Sequence, residues 1–274
     1  MKIKAYKYQG AGNDFVIIDN REDEVSLSPE NIRQMCHRRF GVGADGLMLL
    51  AKSEKYDFSM KFFNADGSEG SMCGNGGRCL VAFAYHRGIK SYHFEAIDGE
   101  HHATVLVGTP VKCIVELEMI DVNEVREYSP KSFFLNTGSP HLVNFVEKLK
   151  DYDVLEQGKF WRHHPGFPGG TNVNFVQGNW GRSAIPDGVD LYVRTFERGV
   201  EDETYACGTG VTASAIAYHK LFQRNLYPYG TVSTRIQTVG DILDVKFDYN
   251  GADSYTNIKL KGPATYVFSC EVEI

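Results

Sequence analysis

No stretch of this 274-residue chain approaches the roughly 18–20 consecutive apolar residues that a membrane-spanning helix needs. The first residues, MKIKAYKYQGAGNDF, are basic but contain no apolar segment of the kind found in a secretory leader. Positive charge is scarce: 29 Lys and Arg stand against 35 Asp and Glu, a net charge of −6 with no basic cluster. That balance argues against a nucleic-acid-binding face. There is no phosphate loop of the G-x-x-x-x-G-K-[ST] type and no dinucleotide fingerprint after a strand. A G-x-S-x-G nucleophile elbow is also missing. Cys73 and Cys79 lack zinc-ligand spacing, and His101-His102 and His163-His164 lie in different contexts, so neither a metal nor a cofactor is expected. Six cysteines without a secretion signal read as reduced thiols and not as a disulfide framework. With 42% apolar and 23% charged residues, these absences leave a soluble, cytoplasmic chain of about two domains, with no membrane or nucleic-acid partner.

What the chain does contain is one pattern written twice. Phe62–Gly88 passes through a small polar turn, places Cys73 before Gly74-Asn75-Gly76-Gly77, and enters an apolar segment that reads as a helix. Phe196–Phe222 has an acidic turn, then Cys207 before Gly208-Thr209-Gly210, then an apolar helix containing Ala-Tyr-His. The flanking elements repeat in a similar order. In the first half, strands are expected at Lys2–Gln9, Phe15–Asp19, Gly46–Leu50 and Tyr56–Asn64, with a helix from Ser28-Pro29 to about His37. Further strands follow near Tyr92–Ala96, Ala103–Val107 and Val111–Glu118, with Asp98-Gly99 as a hairpin turn.

The polar segment Asp121–Lys131 lacks periodicity and reads as the crossover between domains. Beyond it come a strand at Ser132–Leu135, a helix near Leu142–Lys150, a Gly/Pro/His-rich loop from Arg162 to Gly170, and strands at Val173–Gln177 and Leu191–Glu197. After the Cys207 helix, strands are expected near Thr231–Thr238, Ile242–Phe247, Tyr255–Leu260 and Ala264–Glu271. The fold class is therefore mixed α/β (α+β), a duplication at domain scale. The two halves are 1–120 and 121–263, with 264–274 a candidate closing strand for the first.

A thiolate and not a thiol takes protons, and a helix N-terminus favours the thiolate by placing partial positive charge and N–H donors beside it. Glycines after each cysteine allow close approach of a ligand, and the helix-start N–H groups suit a carboxylate. Two such thiols facing one cleft could remove a proton from the carbon beside a carboxylate and return one to the opposite face. The bland alternative is that a cysteine is a small buried hydrophobe. That is the reading for Cys36, Cys79, Cys113 and Cys270. For Cys73 and Cys207 the repetition favours chemistry.

On GAGNDF (Gly10–Phe15), FFNADGSEGSMCGNGGRC (Phe62–Cys79), and ERG with ACGTG (Glu197–Gly210), the sequence resembles the diaminopimelate epimerase family over nearly its whole length. The resemblance implies two similar domains related by a pseudo-two-fold, each a mostly antiparallel sheet wrapped about a central helix, with the site in the cleft between them. It implies cofactor-free conversion of LL-2,6-diaminopimelate to the meso form by a cysteine acid–base pair, and a homodimer. Cys73 and Cys207 match the catalytic pair. Asn13, Asn64, Gly74, Asn75, Asn172, Glu197, Arg198, Gly208 and Thr209 match substrate-binding positions. His141 matches an active-site histidine, with a structural histidine as the alternative, and Ser139 stands where many members have Asn. Gly46 replaces a Gln found in some members, and Gly77 replaces the usual Ala. Asn13 and Asn172 also admit purely local roles, in an Asx turn and in fastening a loop. Proline or hydroxyproline racemisation by the same thiol chemistry is the second hypothesis. A non-catalytic relative of the same fold is the third, although such a chain would be expected to lose a cysteine.

Overall fold

The first strand-forming runs pair as a hairpin. β1 (Lys2–Gly10) and β2 (Asn13–Asn20) turn at Ala11-Gly12, where φ is 54° and 88°. A computed structural model describes residues 2–70, 72–179 and 186–274. Ser71, inside the first glycine-rich motif, lies outside the described residues. The chain divides into two units, Met1–Leu117 with Gly262–Ile274, and Glu118–Lys261.

In the first unit, α1 (Pro29–Cys36) starts at Ser28, whose hydroxyl accepts from the Asn31 N–H. β3 (Gly46–Ala51), β4 (Phe58–Asn64) and the short β5 (Glu69–Gly70) lead into α2 (Gly74–His86). β6 (His93–Ala96), β7 (Gly99–Gly108) and β8 (Lys112–Glu118) follow. The second unit contains β9 (Val125–Ser129), β10 (Ser132–Asn136), β11 (Pro140–Phe145), α3 (Val154–Arg162), β12 (Asn172–Gly178), β13 (Leu191–Glu197) and β14 (Asp202–Thr204). α4 (Gly208–Tyr218) continues into a π-helical turn, His219–Gln223, and β15 (Gly230–Gln237), β16 (Ile242–Tyr249) and β17 (Tyr255–Glu273) complete the chain.

Strand pairing in the first unit runs β1-β2-β3-β4-β6-β7-β8-β17 and back to β1. Only β2–β3 and β4–β6 are parallel. The sheet closes on itself, leaving no open edge in that ring. Helix α2 packs on β1, β2, β3 and β7, and every residue from Gly74 to Ala84 is buried. A helix apolar over most of its circumference suits such an enclosed position, with Asn75 and Arg78 as its buried polar exceptions. The second unit repeats the order of pairings: β10-β11-β12-β13-β15-β16-β17, with only β11–β12 and β13–β15 parallel. Helix α4 packs there on β10 to β13, β15 and β16.

Four expectations are corrected. Leu142–Lys150 is not a helix: Pro140–Phe145 is β11, hydrogen-bonded on both sides and buried from His141 to Phe145. A short apolar run buried on both faces has no period that separates strand from helix. The missed helix is α3, which begins beyond that run at Asp153, whose carboxylate accepts from the Glu156 N–H. The crossover segment contains β9, paired with β10. Finally, the two expected strands Tyr255–Leu260 and Ala264–Glu271 are one, β17. It runs through Pro263, opposite Ile114, as its partner changes from β16 to β8. The hairpin turn in the first unit falls on Ile97-Asp98, with Gly99 paired to Ala96.

Phe83 sits at the centre of the first ring, with its ring centroid 5.0 Å from that of Tyr6 and 5.7 Å from that of Tyr8. Phe83→Ala is expected to lower unfolding stability by about 3–5 kcal/mol, the usual cost of emptying a buried aromatic site. Chemical denaturation of the two proteins checks this.

Candidate active site

Each cysteine singled out above is the residue that caps a central helix. Cys73 has extended backbone (φ −103°, ψ 147°), and its sulfur accepts from the Gly76 N–H at 3.2 Å. Cys207 caps α4 in the same backbone region (φ −115°, ψ 112°), and its sulfur has a different neighbour, Thr209 Oγ1 at 3.4 Å. Cys73 is half-buried and Cys207 is buried.

In the first unit, Asn75 is buried and its amide is held from two sides. Its Oδ1 accepts from Arg78 Nη2 at 2.8 Å, and its Nδ2 points to Asn13 Oδ1 at 3.4 Å. Arg78, wholly buried, also donates to the Gly74 carbonyl at 3.1 Å, so one guanidinium fixes both residues after Cys73. Asn13 in turn donates to Asp45 Oδ2 at 2.5 Å. Arg38 bridges Asp45 and Asp14 at 2.5 and 2.8 Å, and Lys7 reaches Asp14 at 2.6 Å. Burial by itself would raise the Asp14 carboxyl, but hydrogen bonds and charge from Arg38 and Lys7 outweigh it and hold it at about 2. Asn13 is therefore oriented by a charge cluster that the sequence reading did not single out.

Asn64 is exposed at the end of β4, donates to Ser68 Oγ at 3.1 Å, and lies in register with Gly46 and through it with Phe15. A side chain at position 46 would begin 2.5 Å from the Phe62 ring, so this chain fills with an aromatic the space that a glutamine would need.

The second unit assembles around His141, which has no exposed surface. His141 Nε2 lies 2.9 Å from Thr209 Oγ1 and 3.0 Å from Ser139 Oγ, and its Nδ1 is 3.0 Å from Asn174 Nδ2. Burial, helped by the Arg198 charge, pushes the imidazole down to about 3, so it is neutral near pH 7. Asn172 is hydrogen-bonded at both ends of its amide. Oδ1 accepts the Arg198 N–H at 2.8 Å, while Nδ2 donates to the Pro140 carbonyl at 3.0 Å and to Ser139 Oγ at 3.3 Å. It fastens the end of β13 to the Ser139 turn.

Glu197 Oε2 accepts from Thr204 Oγ1 at 2.9 Å, and Arg198 is exposed. Thr209 is tied down by Thr137, whose hydroxyl donates to the Thr209 carbonyl at 2.9 Å. Gly210 makes this arrangement possible: a Cβ there would lie 2.2 Å from Asn174 Oδ1. Asn174 and Arg78 are further positioning side chains that the sequence reading missed. The available signal for each was a polar residue in a stretch otherwise expected to be buried.

Cys36, Cys79 and Cys113 are buried and Cys270 half-buried, consistent with packing roles. Burial pushes the Cys36 thiol up to about 11 and Cys79 higher still. Among the described residues, no three His, Cys, Asp or Glu side chains gather to hold a metal ion, and no helix is long and apolar enough to cross a membrane.

The fold is that of a group of solved structures sharing little sequence with this chain. A PhzF-family phenazine biosynthesis protein from Bacillus anthracis superposes with a TM-score of 0.77 at 16% identity, covering 100% of both chains. A probable proline racemase from Agrobacterium radiobacter K84 gives 0.69 at 15% identity, covering 99% of this chain and 93% of that one. These likenesses define a mixed α/β fold. Sequence narrows it. Residues 5–115 and 133–266 match the model of the family described as diaminopimelate epimerase. A diaminopimelate epimerase from Flavobacterium psychrophilum is 43% identical over 98% of this chain and 100% of its own length. One from Leptospira biflexa is 34% identical over 100% of both. The chain belongs to the diaminopimelate epimerase family.

His141 sets a pH dependence of stability. In the unfolded chain it titrates near its ordinary 6.5, and in the folded chain near 3. The unfolded state therefore takes up the proton first, and this site loses stability as pH falls from about 6.5 towards about 3. His141→Gln is expected to flatten that part of the stability profile, as read by urea denaturation across the window.

Proposed function

We propose that this chain epimerises LL-2,6-diaminopimelate to the meso isomer without a cofactor, using Cys73 and Cys207 as a two-base pair. The observation that carries the reading is that each of the two cysteines caps the buried central helix of its own unit. The two halves, 1–120 completed by 264–274 and 121–263, form a duplicated pair of domains on this reading, and the substrate lies in the cleft between them.

The α-carboxylate is held by the N–H groups at the helix mouths, from Gly74-Asn75 and Gly208-Thr209. As the α-proton leaves, charge moves onto that carboxylate, and the preorganised helix dipoles stabilise it where it develops. One cysteine, as thiolate, takes the proton from one face of the α-carbon. The other, as thiol, delivers a proton to the opposite face, and their roles exchange with reaction direction. The pair titrates as one coupled unit.

Glu197 faces the substrate ammonium, Arg198 binds a carboxylate through its guanidinium fork, and Asn13 and Asn64 contact the amino-acid end that does not react. Asn172 binds the substrate's amino and carboxylate groups with this set, and His141 stands behind Ser139 and Thr209. Ser139 supplies a hydroxyl where many relatives have an amide. The reaction places the chain in lysine and peptidoglycan precursor synthesis, in the cytoplasm, as a homodimer.

Purified, reduced protein in D2O with LL-diaminopimelate is expected to place deuterium at one α-carbon and to yield meso product, as followed by proton NMR. Cys73→Ala and Cys207→Ala are each expected to lose turnover by at least the roughly 10²–10⁴-fold ascribed to a positioned acid or base. Either variant retaining full turnover would sink the two-base mechanism. Exchange with L-proline in place of diaminopimelate would keep the thiol chemistry and reassign the substrate.

A further inference from the structure

The chain enters α2 past an unequal pair of residues. Cys73 caps the helix, so Met72 stands one residue before the cap and Gly77 is the fourth residue inside. These are the two positions at which apolar side chains often pack on each other and set the angle at which a chain enters its helix. Here the apolar bulk is all on one side. A Cβ built at Gly77 would lie 2.9 Å from Met72 Sδ, 3.5 Å from Met72 Cγ and 3.2 Å from Leu117 Cδ2. The Met72 thioether therefore occupies the notch that the missing methyl leaves, between α2 and the buried Leu117 on β8.

On local grounds glycine is a poor choice for that position. It is the least favourable helix residue after proline, and Gly74 and Gly76 already loosen the same turn. Gly77 is also one of the positions at which this chain departs from the pattern it resembles. An unbranched, adaptable side chain lodged in the notch gives the departure a physical reason. Helix α4 has the opposite arrangement, with Ala206 before its cap and Val211 four residues inside, both buried. Each helix thus has one large and one small residue in the pair, with the order exchanged.

The same packing bears on the sulfur. Cys73 Sγ accepts from the Gly76 N–H at 3.2 Å, and a Cβ at Gly76 would lie 3.1 Å from that sulfur and 3.4 Å from Met48 Sδ. The sulfur lies against the first turn of the helix it caps, so its place depends on the angle at which Met72 and Cys73 arrive. Met72 is held through its main chain as well: its N–H donates to Asp98 Oδ1 at 3.3 Å, in the turn between β6 and β7.

We propose that Met72 is a positioning residue for Cys73: lodged in the notch at Gly77, it fixes how the chain enters α2 and so holds the Cys73 sulfur on the Gly76 N–H. Met72 touches no reacting atom on this reading and acts through the backbone of Cys73. Once its side chain leaves the notch, the entry angle is released and the helix mouth supports the thiolate less well. Arg78 on α2 and Asp98 in the β6–β7 turn are charged side chains beside this mouth, and the variants below leave both in place. The inference rests on Cys73 being one of the two proton-transfer groups.

Variants at both positions test it. Met72→Ala empties the notch, and Gly77→Ala fills it with a methyl that expels the thioether. Each is expected to lower kcat for diaminopimelate about tenfold, with KM within about twofold of wild type, as a small misplacement of a reacting group does. On helix propensity alone Gly77→Ala would strengthen α2, so a loss there reports the pair and not the helix. Met72→Ala combined with Gly77→Ala is expected to lie closer to wild type than either single variant, the sign of direct coupling. Met72→Leu, of similar volume, is expected to keep wild-type kcat. A readout without substrate is the thiolate ultraviolet absorbance contributed by Cys73 in a Cys207→Ser background, taken by difference from protein carrying both Cys73→Ser and Cys207→Ser. Its midpoint is expected to move up by about half a pH unit in either single variant, a roughly threefold smaller thiolate fraction.

Wild-type kcat and midpoint in Gly77→Ala, or a double variant that loses as much as the two single ones combined, would overturn the positioning role. Should Met72→Ala fail to fold, Gly77→Ala and Met72→Leu decide the matter. Failure of the wild type to epimerise diaminopimelate, with the midpoints moving as expected, would count against the substrate and leave the role of Met72 standing.

Discussion

A helix that begins inside a protein has a problem at its mouth. Its first N–H groups have no partner within the helix, and burying them without one is costly. Everything distinctive about this molecule follows from starting two apolar helices, α2 and α4, in that situation. The residue at each mouth is a cysteine, whose sulfur is a weak acceptor as a thiol and a strong one as a thiolate. Glycines recur in the first turn of each helix. At Gly210 even one methyl would enter the Asn174 amide. The polar residues that meet each mouth stand at strand ends, Asn13 on β2 in the first unit and His141 and Asn172 on β11 and β12 in the second.

The two mouths differ in what stands beside the sulfur. Cys73 is met by a backbone donor, the Gly76 N–H, which cannot change its role. Cys207 is met by a hydroxyl, which can both give and accept. Behind the first stands a buried cation, Arg78, bonded to Asn75 and to the Gly74 carbonyl. Behind the second stands a neutral chain of Thr195, Asn174 and His141. Chemically alike sulfurs thus sit in unlike surroundings, one backed by charge and the other by oriented dipoles.

How much of this was legible in the sequence varies with the kind of signal. The two helix mouths were, because Cys-Gly-x-Gly before an apolar run is a local pattern and occurs twice. Most strands were as well, since half-buried strands alternate. β11 was not, because it is buried on both faces and its apolar run carries no period. α3 was not, because only Val154 and Gly158 along it are buried, too few to draw an apolar stripe. For Asn172 the local role of fastening a loop, one of the two readings open from sequence, is seen in its bonds to the Arg198 N–H, the Pro140 carbonyl and Ser139. Asn174 and Arg78 escaped notice for a common reason. Their partners lie on other strands or one helical turn away, and a polar residue between apolar ones does not announce its partner.

The path of β17 has a consequence for how the chain comes to be. Its last residues, Gly262–Ile274, belong to the first unit, where they stand between β1 and β8 and close the ring. These residues leave the ribosome after those of the second unit. Until they arrive, everything needed for the second unit has been made, while the first, begun earlier, still has two bare strand edges. The half that is started first is therefore finished last. During that interval β1 and β8 are open to wrong pairing, the usual hazard of unpaired edges during synthesis. A ribosome that stops at Lys261 releases a chain that has every residue of the second unit and whose first is an open sheet.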